Sequence, residues 1–215
     1  MKVDSVVVVW PDDTYQVMRS VESNQRITVE QNQASGKFNF NMHTANEHLL
    51  QSIDSPVKFR HEENKFVEFN REPLIPHMLS REGPAVATGD INGDGLEDLF
   101  VGNAKWARSR VFVQTVEGEF AATEQPDIAS DSVAEDVSAV LFDADGDEDL
   151  DLLVVSGGNE FSGKSVNTMP RLYMNDGAGK FTRSDGLPEL YLTGSCVAVG
   201  DLEGDGDMDV FIGAR

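Results

Sequence analysis

The stretch DINGDGLED, residues 90–98, returns twice along the chain, as DADGDEDLD at residues 143–151 and as DLEGDGDMD at residues 201–209. The copies begin 53 and then 58 residues apart. Each copy carries side-chain oxygens at its first, third, fifth and ninth positions, and its seventh residue can add a backbone carbonyl. Ca²⁺ takes about six to eight oxygen ligands. The predicted ligands are Asp90, Asn92, Asp94, Leu96, Asp98, Asp143, Asp145, Asp147, Asp149, Asp151, Asp201, Glu203, Asp205, Asp207 and Asp209.

The residues that follow each acidic loop distinguish the pattern from an EF-hand. An EF-hand loop carries a bidentate Glu at its twelfth position and lies between two helices. Here the twelfth positions are Val101, Val154 and Ile212, inside short apolar runs that are typical of buried strands. Runs of small and β-branched residues also precede the loops, so each loop is predicted to join two strands.

The three loops differ in how well they suit a cation. The residue after the fifth position commonly needs a left-handed backbone, which Gly95 and Gly206 adopt freely, whereas Glu148 in the second loop costs about 1–2 kcal/mol in that conformation. Glu203 in the third loop is one methylene longer than Asp. We therefore expect the first loop to be the best site and the chain to bind up to three Ca²⁺ ions.

A second repeated feature predicts hairpins. RVFVQTVEGEF, residues 110–120, and RLYMNDGAGKF, residues 171–181, carry EG at 117–118 and DG at 176–177, where turns require positive φ. VKFRHEENKF, residues 57–66, is a looser version. Because a hairpin precedes each acidic loop, one unit holds about four strands, the content of a β-propeller blade.

The loops with their following strands, LFVGNA at 99–104 and VFIGAR at 210–215, resemble the FG-GAP or VCBS repeats of integrin-like propellers, and RLYMNDGAGKFT resembles the hairpin of those repeats. The resemblance spans residues 57–215 and implies a calcium-loop propeller. The predicted fold class is all-β, with β-propeller blades of four-stranded antiparallel sheets forming a partial propeller after a small β module. The remaining blades would belong to a longer chain.

The N-terminal stretch has a separate resemblance. VDSVVVVWPD at 3–12 and NQRITVEQ at 24–31 are similar to the C-terminal part of the ASPIC/UnbV module, which accompanies FG-GAP repeats in cartilage acidic protein-like and bacterial surface proteins. That family usually has Gly after WPD, where this chain has Asp13. The alternation of apolar residues predicts strands at 6–10, 15–18 and 26–30.

These observations divide the chain into three parts. Residues 1–34 are predicted to be a partial ASPIC/UnbV-like β module, and residues 57–215 the FG-GAP/VCBS propeller portion. Residues 35–56 lack periodicity and are predicted to be a connector with one helical turn at 45–51.

Charge and composition limit the partners. The net charge is −21, and 15 of the 38 acidic residues lie in the three acidic loops, which contain no Lys or Arg. So much negative charge disfavours nucleic acid as a partner.

No stretch is long and apolar enough to span a membrane, and no signal peptide begins the sequence. Free Ca²⁺ is scarce in the cytosol, so we expect an extracellular, periplasmic or cell-surface location, with the signal sequence outside this fragment.

A few other residues are candidates for binding or reactivity. Trp106 and Arg108 lie in the polar stretch 102–110, and Phe161 lies in the polar insertion 156–171, so these three are the predicted ligand-binding residues. The alternative is that Trp106 packs between blades. Cys196 is the sole cysteine, which excludes an internal disulfide, and we expect it to be a small buried strand residue.

The sequence favours a secreted or cell-surface, calcium-stabilised binding or adhesion module without catalysis, with a protein or glycan as partner. Calcium ligation would occupy every acidic cluster and leave no evident nucleophile or acid/base pair. The alternative is the propeller part of a calcium-dependent polysaccharide lyase or hydrolase, in which Lys105, Arg108 or His77 would act as base. A third class is a scaffold segment of a surface assembly.

Overall fold

The computed structural model describes residues 2–40, 50, 52–161 and 163–215, and it separates into two compact units, Met1–Asp54 and Ser55–Arg215. The helical turn predicted at 45–51 falls outside the described residues except for Leu50.

The N-terminal unit contains an antiparallel hairpin of β1 (Lys2–Val9) and β2 (Tyr15–Glu22). Its turn is closed by a hydrogen bond from the Asp13 N–H to the Trp10 carbonyl at 2.9 Å. Asp13 adopts φ 64°, a left-handed conformation that Gly takes without strain and that Asp tolerates better than most residues. The turn geometry associated with Gly is therefore adopted here by Asp.

The third strand predicted in this unit, at 26–30, is wrong. Residues 25–30 have no strand assignment, and a 3₁₀ helix follows at Gln31–Gln33. The backbone that pairs with the start of β2 comes from further along the chain: Thr14 forms an antiparallel bridge with Lys37, and the Ser35 N–H donates to the Tyr15 carbonyl at 2.8 Å. The alternation of Ile27 and Val29 resembled a strand, but in the described residues the sheet contains only β1 and β2, so this segment joins no sheet.

The second unit is built from two four-stranded antiparallel sheets. In the first, β3 (Val86–Gly89), β4 (Asp98–Val101), β5 (Arg110–Gln114) and β6 (Phe120–Thr123) pair in chain order. In the second, β7 (Asp136–Phe142), β8 (Asp151–Ser156), β9 (Arg171–Asn175) and β10 (Phe181–Ser184) repeat the same meander. A hairpin of β11 (Gly194–Gly200) and β12 (Asp209–Ala214) begins a third copy.

This topology confirms the predicted all-β fold class. Each full sheet has the four antiparallel strands of a propeller blade, and the sheets of the described residues do not close into a barrel, as expected of a partial propeller. The one α-helix of the described residues is the short α1 (Pro126–Ser130). No helix in the described part of the chain is long and apolar enough to cross a membrane.

The main core lies between the two four-stranded sheets. Phe100 and Val111 of the first sheet share one buried cluster with Leu152, Val154 and Tyr173 of the second. All six positions of β8 are buried, because its other face packs against β11. At that contact a Cβ on Gly194 would lie 2.1 Å from a methyl of Val155, so only Gly allows the strands to come so close.

The two predicted hairpins at 110–120 and 171–181 form as β5–β6 and β9–β10. Gly118 and Gly177 adopt positive φ of 80° and 73°. The looser hairpin predicted at 57–66 is wrong, since that segment contains no strand. Instead the Phe59 ring packs edge-on against the Phe112 ring of β5, with centroids 6.3 Å apart, so the segment covers a face of the first sheet.

The β11–β12 hairpin is more exposed than the sequence predicts. Its apolar residues Val210 and Phe211 are 40% and 64% exposed. Cys196 lies in β11 as expected, but its side chain is exposed rather than buried. Two strands alone leave one face of the ribbon open to solvent.

Candidate metal centre in the acidic loops

Each acidic loop connects the first and second strands of a repeat. The strand pairs that enclose the loops end at Gly89 opposite Asp98, Phe142 opposite Asp151 and Gly200 opposite Asp209. The ninth residue of every loop is therefore also the first residue of the next strand. This arrangement confirms the predicted strand, loop, strand order.

The first residue of each loop folds the backbone around its own carboxylate. In the first loop Asp90 Oδ1 accepts the N–H groups of Gly93 at 2.8 Å and Asp94 at 3.1 Å, and Asp90 Oδ2 accepts the Gly95 N–H at 2.7 Å. These hydrogen bonds stabilise the ionised form and lower the pKa of Asp90, with the Gly95 N–H as the largest cause. Asp143 and Asp201 accept equivalent bonds in their loops.

In each of the two complete repeats, the ninth residue of the acidic loop connects that loop to the hairpin that follows. Asp98 Oδ2 accepts the Ile91 N–H of its own loop at 3.2 Å, and its Oδ1 accepts the N–H of Gln114, the last residue of β5, at 2.8 Å. Asp151 repeats this with Ala144 at 3.0 Å and Asn175 at 2.8 Å. Both carboxylates are buried, so one side chain links the loop to two strands.

Burial at the ninth position has an electrostatic consequence. Loss of hydration raises the pKa of Asp98 and of Asp151, although the backbone N–H groups oppose the rise. Neighbouring carboxylates raise both further. A nearby cation would favour the charged forms and reverse this effect.

The second loop brings its carboxylates closest together. Asp143, Asp145 and Asp151 offer oxygens that all lie within 4.8 Å of one another, and this is the one such group of three or more acidic, His or Cys residues in the part of the chain that the structure describes. Such a group of oxygen donors could hold a metal ion, and the donor chemistry suits a hard divalent cation. Asp149, also in this loop, has its pKa raised by loss of hydration and by the adjacent carboxylates.

The second loop also confirms the predicted backbone strain, because Glu148 adopts φ 72°. In the corresponding positions Gly95 and Gly206 have φ 84° and 96°. The three loops thus share one backbone shape, and only the second adopts it with a side chain in the left-handed position.

In the first loop Asn92 replaces one acid. Its Oδ1 accepts the Asp94 N–H at 3.0 Å and its side-chain amide donates to Asp94 Oδ2 at 3.2 Å. The other predicted side-chain ligands of the first and third loops lie within their own loops. In the third loop, Asp201 and Asp205 are exposed. The second loop, rather than the first, therefore has the most compact set of carboxylates.

Asn175 is a residue that the sequence interpretation missed. Its side-chain amide donates to the Ile91 carbonyl of the first loop at 2.8 Å and to the Leu150 carbonyl of the second at 3.1 Å. It thereby joins the two loops directly. Asn175 and Gln114 both end the third strand of a sheet, so comparing the repeats position by position would have identified the site.

The residues predicted to bind a ligand lie near one another, but only two of them line the same cavity. Trp106 and Arg108 line one cavity on the first sheet, and the Trp106 side chain is exposed rather than packed between blades. Phe161 does not line that cavity, but Lys105 Nζ lies 4.3 Å from the Phe161 ring centroid and 5.6 Å from the Trp106 ring centroid, so the two rings lie near each other.

The lyase or hydrolase alternative predicts Lys105, Arg108 or His77 as its base. Lys105 forms an ion pair with Glu160 at 2.8 Å and is mostly buried. His77 is hydrogen-bonded to Glu82 at 3.2 Å and does not line the cavity that contains Arg108. Neither Lys105 nor His77 therefore lines the cavity that contains Arg108.

Comparison with protein families agrees with this geometry. A family model described as FG-GAP-like repeat matches residues 90–154 and again 143–212, and together the two matches cover more than half of the chain. A second model, described as ASPIC and UnbV, matches residues 1–36. No curated protein matches the sequence. FG-GAP-like repeats typically bind calcium and usually occur in extracellular proteins.

Proposed function

The chain belongs to the FG-GAP-like repeat family, and on that premise we propose that it is a calcium-stabilised binding or adhesion module, without catalysis of its own, that works outside the cell or at its surface. Its repeats form a β-propeller-like module of the kind found in extracellular proteins. Calcium would be structural, and recognition would fall to loops away from the ions.

The observation that carries the proposal is the group Asp143, Asp145 and Asp151, whose oxygens lie within 4.8 Å of one another. Charges this close repel strongly unless a cation neutralises them. Asp147 and the backbone of Asp149 would complete the ligand set by position in the loop. The corresponding residues of the first and third loops would hold a second and third ion, because the three loops repeat the same ligand spacing.

The position of the ninth residue explains how an ion would affect the whole fold. Asp151 is both a candidate ligand and the acceptor that holds the Asn175 N–H of β9. A cation bound in the loop would offset the negative charge of the other carboxylates. It would thereby keep Asp151 ionised and strengthen that hydrogen bond. The ion would contribute the positive charge, and the chain itself would contribute the link from loop to strand.

The expected size of the effect follows from mass action. Extracellular calcium modules bind with Kd of about 10⁻⁴ to 10⁻³ M. At Kd of about 10⁻⁴ M, 1 mM Ca²⁺ adds about 1.4 kcal/mol per site. For a unit of this size three sites should raise Tm by roughly 10 °C.

The test is calorimetry with Ca²⁺ and with EDTA on the full chain. Titration should reveal up to three sites, and EDTA should lower Tm. The double variant Asp143→Asn/Asp145→Asn should remove one site and part of the stabilisation. The control, Glu117→Gln/Glu119→Gln, removes the same charge from an exposed turn outside the loops and should leave calcium binding unchanged. Equal Tm values in Ca²⁺ and EDTA would contradict the proposal.

The partner under this proposal is a protein or glycan that contacts the exposed loops, with Trp106 and Arg108 as the main candidates and Phe161 as a further one. The alternative is the propeller part of a polysaccharide lyase or hydrolase, in which Lys105, Arg108 or His77 would act as base. An absorbance assay for unsaturated sugar products separates the two functions, since a binding module would yield no product at any enzyme concentration.

A further inference from the structure

A cavity of about 570 Å³ lies on the first sheet, beside the loop that joins β4 to β5. Its walls come from that loop, from β5 and β6, and from the segment that precedes the sheet. Small-molecule sites commonly fill roughly 300–1,000 Å³. The cavity is thus large enough for a ligand of several rings or residues.

The cavity is basic although the protein is strongly acidic. Four cationic side chains line it, against the single carboxylate of Glu62: they are Lys58, Arg60, Arg108 and Arg110. The whole chain has 17 Lys and Arg residues and a net charge of −21. Concentrating four of them at one cavity opposes the overall charge and creates a local site for an anion.

The four cations have no ion-pair partner among the described residues. Lys58 Nζ donates to the Ser55 carbonyl at 2.9 Å, which leaves its charge uncompensated. Arg60 and Arg108 are exposed, so their guanidinium groups are free to form bidentate contacts.

Trp106 adds an exposed aromatic surface to the same cavity. Its side chain is 69% exposed and its backbone has φ 71°, a conformation that costs about 1–2 kcal/mol for a residue with a side chain. The turn is held by the Trp106 N–H, which donates to the Ser132 carbonyl at 2.7 Å, and by the Ala107 N–H, which donates to the Ala104 carbonyl at 3.0 Å. These hydrogen bonds fix the backbone from which the exposed indole projects.

We propose that this cavity binds an acidic saccharide, a sugar chain that carries uronate carboxylates or sulfates. The indole face of Trp106 would stack on the apolar face of a sugar ring, while Arg60 and Arg108 would bind its anionic groups in bidentate fashion. An acidic peptide would satisfy the cations but gives no particular use to an exposed indole. The inference rests on the proposed binding function, since it names the ligand class of the same surface.

The experiment measures binding to four probes of matched length in constant Ca²⁺: an oligogalacturonate, a sulfated oligosaccharide, a neutral oligosaccharide and oligoglutamate. Calorimetry gives Kd, and fluorescence in a Trp10→Phe background isolates the signal of Trp106, because the chain has only two Trp residues. We expect the acidic saccharides to bind and to shift the fluorescence. Their Kd should rise with NaCl.

Three variants assign the site. Arg108→Gln, Arg60→Gln and Trp106→Ala should each raise Kd for the acidic saccharides about tenfold, since about 1.4 kcal/mol per lost contact corresponds to that factor. The matched control Lys180→Gln removes one positive charge from an exposed turn of the second sheet, and its Kd should stay within about twofold of that of the parent protein. Tm of every variant is measured beside Kd, and a variant whose Tm falls is replaced by its conservative form, Arg108→Lys or Trp106→Phe.

Three outcomes would overturn the inference: equal affinity for the neutral oligosaccharide, equal or tighter binding of oligoglutamate, or an equal loss of affinity in Lys180→Gln. The calcium proposal fails separately. If EDTA left Tm unchanged while the acidic saccharides still bound at the cavity, the structural role of calcium would be refuted and the saccharide site would stand. If calcium raised Tm but no acidic saccharide bound, only the saccharide site would be refuted.

Discussion

Replacing Glu135 by Gln should stabilise the protein at neutral pH. Glu135 is 2% exposed, and its Oε1 is buried without a hydrogen-bond partner in the described part of the chain. Loss of hydration is the largest cause that raises the pKa of its carboxyl, from the ordinary value of 4.5 to about 8. Four carboxylates raise it further by repulsion, and they belong to Glu63, Glu160, Glu68 and Asp136. Two of these four form ion pairs, Glu160 with Lys105 and Asp136 with Arg171, and Glu63 is hydrogen-bonded to His61.

The sign and size follow from proton binding. Between pH 4.5 and 8 the folded state keeps the Glu135 proton while the unfolded state loses it, so the free energy of unfolding falls as pH rises through this window. The slope is about 1.4 kcal/mol per pH unit, which amounts to about 3 kcal/mol at pH 7. Gln has nearly the same shape and cannot ionise. Glu135→Gln should therefore match the parent protein at pH 4.5 and exceed its stability by about 3 kcal/mol at pH 7, roughly 6–12 °C in Tm.

The assay is urea denaturation of both proteins at pH 5, 6, 7 and 8 in constant Ca²⁺. The acidic loops are identical in the two proteins, so their titration cancels in the difference. Glu119→Gln is the matched control, because Glu119 is exposed in the β5–β6 turn and should produce no pH-dependent difference. If the difference between Glu135→Gln and the parent stayed constant from pH 5 to 8, Glu135 would ionise normally in the folded state and the reasoning would be wrong.

Three further predictions concern the loops and the core. Glu148→Gly should raise the free energy of unfolding by about 1 kcal/mol, because Glu148 has φ 72°; denaturant titration that found a loss would refute the strain argument. Calcium affinity should be lower at pH 4 than at pH 7, since the pKa of Asp151 is raised above its ordinary value of 3.8 and protons then compete with the ion; calorimetry at the two pH values tests this, and equal affinities would contradict it. Arg171→Met should cost about 3–5 kcal/mol in urea denaturation, because it leaves the Asp136 carboxylate buried and unpaired; a cost below about 1 kcal/mol would show that Asp136 takes up a proton or solvent.

The buried ion pair in the last prediction also links the two full sheets. Arg171 of β9 pairs with Asp136 of β7, and the Ser109 hydroxyl, from the loop before β5, donates to the other oxygen of Asp136. The Asp136 N–H donates to the Asn103 carbonyl at 3.0 Å. One buried carboxylate therefore holds two neighbouring blades in register, far from the acidic loops.

Where the chain repeats itself, the sequence alone predicted the structure. The acidic loops, the strands on either side and the two hairpins at 110–120 and 171–181 depend on local patterns of turn residues and alternating apolar residues, so the fold class could be read from them. The same local logic placed the left-handed backbone at Glu148. Short-range sterics and period-two burial determine these features wherever the segment lies in the fold.

Where a local pattern is compatible with more than one conformation, only the tertiary structure decided the outcome. Residues 26–30 and 57–66 have strand-like patterns, yet neither segment forms a strand: the bridge to Thr14 comes from Lys37, and Phe59 packs on a sheet face. The role of Asp98 as a link to Gln114 likewise needs two residues that lie 16 positions apart to meet. Pairing, burial and charge at a site depend on which distant groups share it, and that choice is made by packing of the whole chain rather than by local sequence.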